Sequence, residues 1–309
     1  MTRTGAPSAV PVLEVGGSHV TAAVVDLIGG RLVDGTRRRV PLRPDADADT
    51  LLTAMAGAAN GLSRAVPSDR GVGTVWGLAV PGPFDYATGV ARYRDVGKFA
   101  SLAGVAVGEQ LTGRIRPRPT GLRFVNDASA FALGAWRQGA AAGARRLVAI
   151  TLGTGVGSAF LADGEVVEDD PRVPPEGRAD LLSIDGHPLE DTVSTRAIIG
   201  RYAARTGRRI DGLYELTRRT DDAVAVEVVT AAMRRLGVAM APWFAAFGAD
   251  TVVFGGSITG AWALIGPPLA DGMAEHDPAL ASRLRVTVSP DSESSALLGA
   301  AVHAARPAH

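Results

Sequence analysis
Short apolar runs closed by glycine alternate along this chain with longer stretches of helical period. Residues 10–15 read as a buried strand broken by Gly16-Gly17-Ser18, with 20–26 as a second strand behind it. Gly29-Gly30 then turn the chain into a third strand over 31–40. Over 45–66 the apolar residues Leu51, Leu52, Met55 and Leu62 fall on one side of a helix. An apolar strand over 72–80 stops at Pro81-Gly82-Pro83. The stretch 85–104 carries several turn formers and reads as loop, and 105–111 is where the next helix begins. Phe124-Val125 end a short strand, and Asn126-Asp127 stand where a helix N-cap belongs, ahead of a helix over 128–138.

From Leu147 the opening pattern returns. A strand over 147–152 leads to the bend Gly153-Thr154-Gly155-Val156-Gly157, then to a strand over 158–162, the tight turn Asp163-Gly164 and a strand over 165–168. Such a repeat reads as a duplicated half: two α/β domains of similar plan, each offering one glycine bend to a shared cleft. The N-terminal domain is placed at 1–125, joined by a C-terminal helix within 293–309, and the C-terminal domain at 126–292. The stretch 169–188 is the longest irregular one. Helices follow over 192–207 and 223–247, the second with Val228, Ala232, Leu236 and Phe247 inward. A buried strand over 251–254 ends in Gly255-Gly256-Ser257; a strand over 284–288 and a helix over 295–305 close the chain.

Composition narrows the chemistry. With 32 basic and 32 acidic side chains in 309 residues, the net charge is zero, which leaves no electrostatic footprint for nucleic acid or an anionic membrane. Clusters such as Arg37-Arg38-Arg39 read as solvated faces. The chain has no cysteine, which removes disulfides, thiolate catalysis and any cysteine-based zinc site. No signal-like segment opens the chain and no apolar run approaches about 18 residues, so a cytoplasmic location is expected.

Backbone amides at a glycine bend can converge on phosphate because no Cβ blocks the approach, although such bends also arise for steric reasons alone. Three of them here follow apolar strands directly: Gly16-Gly17-Ser18, Gly153-Thr154-Gly155 and Gly255-Gly256-Ser257. A dinucleotide fingerprint needs its glycine loop to open a helix, whereas the first two bends open strands. Gly97-Lys98 lacks the spacing of a phosphate-binding P-loop, and no protein-kinase catalytic loop is present. Two hairpins gripping phosphates across a cleft is the arrangement of actin-like ATPases. Phosphoryl transfer there needs mainly positioning, charge neutralisation and one base.

These residues together resemble the ROK sugar kinases, the bacterial glucokinase-like group. The match comprises Glu14-Val15-Gly16-Gly17-Ser18, Pro81-Gly82-Pro83, Asn126-Asp127-Ala128, the bend from Leu152 to Gly157, Leu189-Glu190, Phe254-Gly255-Gly256-Ser257 and Ala296-Leu297-Leu298-Gly299-Ala300. The resemblance implies the two-domain actin-like (ribonuclease H-like) ATPase fold with an inter-domain cleft. It makes Asp127 the catalytic base, a role compatible with capping the helix that follows, since a helix N-terminus also favours an ionised carboxylate. It makes Gly82, Asn126, Asp127, Glu176, His187 and Glu190 substrate-binding; Glu176 aligns loosely, and Glu190 and His187 also read as ordinary surface residues. Gly16, Gly17, Ser18, Gly153, Thr154 and Gly155 would hold the phosphates of ATP, with Gly255 and Gly256 against the adenosine and Mg²⁺ bridging the phosphates.

The chain departs from that pattern in three places. Glu14 stands where the family carries aspartate, so the carboxylate still orients metal-bound water or the metal site is altered. The family's zinc cluster of one histidine and three cysteines cannot exist, so no zinc is expected and no side chain is assigned as a metal ligand. In place of the family's asparagine-containing sugar loop stands the run from Tyr93 to Lys98, where Lys98 or Asp95 would meet substrate and shift specificity away from plain glucose. The first expectation is phosphorylation of a hexose, at the 6-hydroxyl of glucose or of an amino sugar such as glucosamine or kanosamine. The second is a non-catalytic sugar-binding regulator, although the residues before Glu14 form no DNA-reading helix. A third is an acetate-kinase-like enzyme, which Asn126-Asp127 and Leu189-Glu190 disfavour. A homodimer is compatible with the family.

Overall fold
The computed structural model describes residues 8–62, 72–94 and 97–307. Its contacts divide the chain into two compact units, one of residues 1–138 with 293–309 and the other of residues 139–292.

In the first unit, β1 (Ala9–Val15) and β2 (His19–Asp26) form an antiparallel hairpin about Gly16-Gly17-Ser18, with Glu14 opposite Thr21. The single strand expected over 31–40 is two pieces, β3 (Arg31–Leu32) and β4 (Arg38–Pro41), both pairing with β2. The break has a local cause. Gly35 takes a positive φ of 73°, and buried Thr36 turns its hydroxyl into the gap, accepting from Val24 N at 3.1 Å and donating to Val33 O at 2.7 Å. Helix α1 (Ala48–Asn60) starts at Asp47, whose carboxylate caps Thr50 N, and its apolar face enters the core through Leu51, Leu52 and Met55. The end expected at 66 is replaced by a stop at Gly61; residues 63–66 lie outside the described ones.

Strand β5 (Val75–Val80) lies parallel to β1, and the stretch expected to be loop holds a small hairpin, β6 (Phe84–Asp85) with β7 (Val90–Ala91). Phe84, Tyr86, Tyr93 and Phe124 pack ring against ring there, so aromatic burial rather than ladder length holds it. Helix α2 (Val107–Arg114) leads to β8 (Gly121–Asn126), parallel to β5, and then α3 (Asp127–Gln138). The C-terminal helix (Ser292–Ala305) packs on α3 with almost no gap. A Cβ on Gly134 would stand 1.8 Å from Ser295 O, and one on Gly299 would stand 1.7 Å from Ala130 O, which explains the glycine of the Leu-Leu-Gly-Ala run.

The second unit repeats the plan. β9 (Arg146–Leu152) and β10 (Val156–Ala162) pair about the second glycine bend, and β11 (Glu165–Val166) extends the hairpin. The irregular stretch beyond contains β12 (Ser183–Ile184) and β13 (His187–Pro188), joined by Asp185-Gly186. The helix expected over 192–207 is two, α4 (Glu190–Val193) and α5 (Thr195–Thr206). Ser194 is extended between them, and its hydroxyl accepts from Ala197 N at 3.3 Å to start the second. After α6 (Leu213–Thr217), α7 (Ala223–Phe247) runs as the sequence pattern predicts, burying Val228, Ala232, Leu236 and Phe247 and ending at Gly248 in the left-handed conformation. β14 (Thr251–Gly255) lies parallel to β9. Helices α8 (Trp262–His276) and α9 (Pro278–Arg283) follow it, and β15 (Arg285–Val288) completes the sheet beside β14. Among the described residues no helix is long and apolar enough to cross a membrane.

Candidate functional site
Parallel strands deliver their carboxyl ends to one edge of a sheet, and in α/β folds that edge is where ligands are met. In the first unit β1, β5 and β8 run parallel, with Glu14 registered to Ala79 and Val80 to Asn126. Glu14, the Pro81-Gly82 turn and the Asn126-Asp127 pair are therefore neighbours at that edge. The hairpin Gly16-Gly17-Ser18 adjoins them, closed by Gly16 N donating to His19 O at 2.9 Å.

Asn126 and Asp127 divide the work at the start of α3. The Asn126 Oδ1 accepts from Ala128 N at 2.9 Å and Ser129 N at 3.2 Å, so the asparagine is the principal cap, and Asp127 Oδ1 also accepts from Ala128 N at 2.9 Å. With both lone-pair directions of its oxygen engaged, Asn126 can offer a ligand only N–H donors. One of these reaches the Tyr86 hydroxyl at 3.0 Å, which in turn donates toward Val80 O at 3.4 Å. The same hydroxyl would lie 3.4 Å from a Cβ at Gly82, in van der Waals contact with it. Tyr93 anchors the neighbouring turn by donating to Pro81 O at 2.8 Å. Burial, then the nearby Tyr86 phenol and the Asp127 charge, push its ionisation far up, so it stays a donor.

Glu14 has a different environment. Its residue keeps a little surface, but the Oε2 atom is sealed from solvent and has no hydrogen-bond partner, and the sealed oxygen is what decides its chemistry. Burial, then the charges of Glu293 and Asp127, raise its pKa from 4.5 to about 8, against the opposing pull of Arg39 and Arg37. Glu293, at the start of the C-terminal helix, is its counterpart. Burial pushes Glu293 up, but hydrogen bonds from Thr21 and Arg37 and the charges of Arg37 and Arg39 outweigh it and hold the carboxyl below its ordinary value. His19 Nε2 lies 3.0 Å from Glu293 Oε1, and its Nδ1 faces Ser18 Oγ at 3.2 Å and Arg39 Nη2 at 3.0 Å.

In the second unit the glycine bends collect at the carboxyl ends of β9 and β14. Gly153 N donates to Gly155 O at 3.0 Å, and Thr195 N ties the bend to α5 by donating to Gly153 O at 3.1 Å. A Cβ at Gly155 would stand 2.3 Å from Glu190 Oε1, so Glu190 lies directly on the hairpin. Gly256 has φ +101°, and a Cβ there would stand 2.0 Å from Leu152 O; only glycine fits. Its N–H donates to Ser292 Oγ at 2.9 Å.

The remaining predicted residues stand apart from these cradles in their bonding. Glu176, in a left-handed turn with φ 56°, is largely exposed and accepts from Arg178 Nη1 at 3.0 Å. His187 is exposed in β13, paired with Ile184. Lys98 is half-buried, and Asp95 lies outside the described residues. Sequence reasoning missed Tyr86, Tyr93, His19 and Glu293. The alternation of Phe84 and Tyr86 before the Thr88-Gly89 turn could have signalled the aromatic hairpin. Nothing local links His19 to Glu293, which are 274 positions apart.

The model of the ROK family matches residues 11–169. A glucokinase of Thermotoga maritima is 25% identical over 249 residues, covering 73% of this chain and 77% of that protein. An uncharacterised protein of Clostridium perfringens is 28% identical over 137 residues. That alignment covers 43% of this chain and less than half, 46%, of the relative. Among solved structures, a ROK hexokinase from Thermus thermophilus superposes with a TM-score of 0.72 at 25% identity, over 96% of this chain and 97% of its own.

Proposed function
Because the chain belongs to the ROK family and has its two-domain actin-like ATPase fold, we propose that it is an ATP-dependent sugar kinase in which Asp127 is the general base. The sugar is a hexose, glucose or an amino-substituted relative such as glucosamine or kanosamine, phosphorylated at the 6-hydroxyl. The observation that carries this reading is the Asn126-Asp127 pair at the carboxyl end of β8. Asn126 spends its oxygen on the helix and one amide N–H on Tyr86, keeping the other N–H for a sugar oxygen, while Asp127 follows directly as a carboxylate able to take the hydroxyl proton.

The glycine bends supply backbone amides for the nucleotide phosphates: Gly16, Gly17 and Ser18 in one unit, Gly153, Thr154 and Gly155 in the other. Gly255 and Gly256 meet the adenosine. At Gly153 a Cβ would meet nothing within 4 Å, so that bend faces open space, while Gly155 and Gly256 must be glycine because a Cβ would strike Glu190 or Leu152. A divalent cation such as Mg²⁺, bound with the nucleotide, would supply neutralisation of the phosphate charge. Asp127 takes the proton of the attacking hydroxyl, the new P–O bond forms on the sugar oxygen, and the bond to the β-phosphate oxygen breaks to release ADP. Glu190 on the second hairpin binds a sugar hydroxyl, as do Gly82, Glu176 and His187 in the same reading.

The test is ADP release from ATP in a coupled assay across a panel of hexoses and amino hexoses. Sugar-dependent ADP formation with one or a few members supports the reading. Measurable sugar binding without turnover for any member would contradict it and point to a sugar-responsive regulator.

A further inference from the structure
The function proposed above leaves one cluster of the first unit without a role. Glu14 at the end of β1, His19 at the start of β2 and Glu293 at the start of the C-terminal helix each present one ligand-capable atom, and these atoms lie within 4.8 Å of one another. Two adjacent strands of one hairpin and a helix start 274 positions beyond His19 converge here. An independent feature points to a missing ligand: Glu14 Oε2 is sealed from solvent and unpartnered, although a buried carboxylate oxygen ordinarily holds at least one partner.

From this geometry we propose that Glu14, His19 and Glu293 bind a first-row divalent transition cation, held by the protein itself and independent of the cation that accompanies the nucleotide. The donor set decides the class. Two carboxylate oxygens and one imidazole nitrogen suit Mn²⁺ and its heavier neighbours, whereas Mg²⁺ favours all-oxygen coordination and keeps its waters. Ligation replaces the hydrogen bond between His19 Nε2 and Glu293 Oε1, leaving both atoms facing the ion. His19 then carries its proton on Nδ1, where Ser18 Oγ at 3.2 Å is the acceptor and fixes the ring. The Arg39 guanidinium, now 3.0 Å from Nδ1, swings to solvent. Thr21 and Arg37 go on donating to Glu293 and orient its carboxylate. An ion here gives the sealed Glu14 carboxylate a partner and adds positive charge beside the Gly16-Gly17-Ser18 hairpin.

The test uses the full chain stripped of metal, with neither nucleotide nor sugar, titrated with Mn²⁺ and read by the electron paramagnetic resonance of the free ion. One Mn²⁺ per chain is expected, retained in tenfold excess Mg²⁺ and weakened at least tenfold in both His19→Gln and Glu293→Gln. Absence of saturable binding, displacement by equimolar Mg²⁺, or binding unchanged in the variants would overturn the site. Should Glu293→Gln fail to fold, which a melting curve reads, His19→Gln, beside the Gly16-Gly17-Ser18 bend, decides alone. No phosphoryl transfer enters the readout, so failure here leaves the kinase reading standing, and failure of the kinase reading leaves this one standing.

Discussion

Replacing Glu14 by glutamine should stabilise the metal-free protein at alkaline pH and do little at acidic pH. Glu14 holds its proton up to a pKa of about 8 in the folded chain, against an ordinary 4.5. Between those values the unfolded chain has released a proton that the native chain retains, so unfolding stability falls as pH rises, by about 1.4 kcal/mol per unit. Below 4.5 both states are protonated and the penalty vanishes; above 8 both are ionised and it levels off. Carried from pH 5 to pH 8, the loss from this one group is about 3–5 kcal/mol. Glutamine has the same shape and no proton to lose. Its amide leaves a comparable polar atom unsatisfied at both pH values, so that cost cancels in the difference. The assay is urea unfolding of wild type and Glu14→Gln at pH 5 and pH 8, with chelator present and fluorescence as the signal. The gap between the two proteins should widen by about 3–5 kcal/mol at the higher pH. A gap that changes by less than about 1 kcal/mol would mean that Glu14 ionises normally and that its sealed oxygen carries no electrostatic cost.

Further predictions follow from the same contacts. Tyr86→Phe removes the hydroxyl that steadies the Asn126 amide, and should raise the sugar KM roughly three- to tenfold with kcat nearly unchanged; steady-state kinetics reads the split. Gly155→Ala puts a methyl group 2.3 Å from Glu190 Oε1, the mobile end of a side chain, so folding should survive while sugar affinity drops; a melting curve beside sugar titration checks both. Gly256→Ala meets the backbone oxygen of Leu152 at 2.0 Å with φ at +101° and should cost about 3 kcal/mol or more, read by urea unfolding.

Much of this architecture was legible because its signals are local. Glycine after an apolar run marks both hairpins, and the helical periodicity sustained over the 25 residues of α7 with Gly248 behind it marks a helix and its end. The Asn126-Asp127 pair announced itself as a helix start, although the cap is chiefly Asn126. What escaped depends on distant partners. Thr36 splits a strand partly because its hydroxyl meets Val24 on the neighbouring strand, a contact that exists only once β2 and β3 pair. Tyr86 and Tyr93 lie in a stretch rich in turn formers, and beyond the local Phe84-Tyr86 alternation their aromatic packing is completed by Phe124, which comes alongside only in the folded chain. Glu293 reads as an ordinary acidic residue in the first turn of a helix until the fold sets it against His19 and Thr21. Residues whose role lies in their own turn of chain are visible early; those recruited across the sheet are not.

The claim that Asp127 takes the sugar proton is tested most directly by comparing wild type with Asp127→Asn in sugar-dependent ADP formation, with ATP and sugar affinities measured alongside. Loss of about two to four orders of magnitude in kcat, with both ligands still bound, is the predicted result. Turnover within about threefold of wild type would remove Asp127 from the chemistry and leave it as a helix-capping residue.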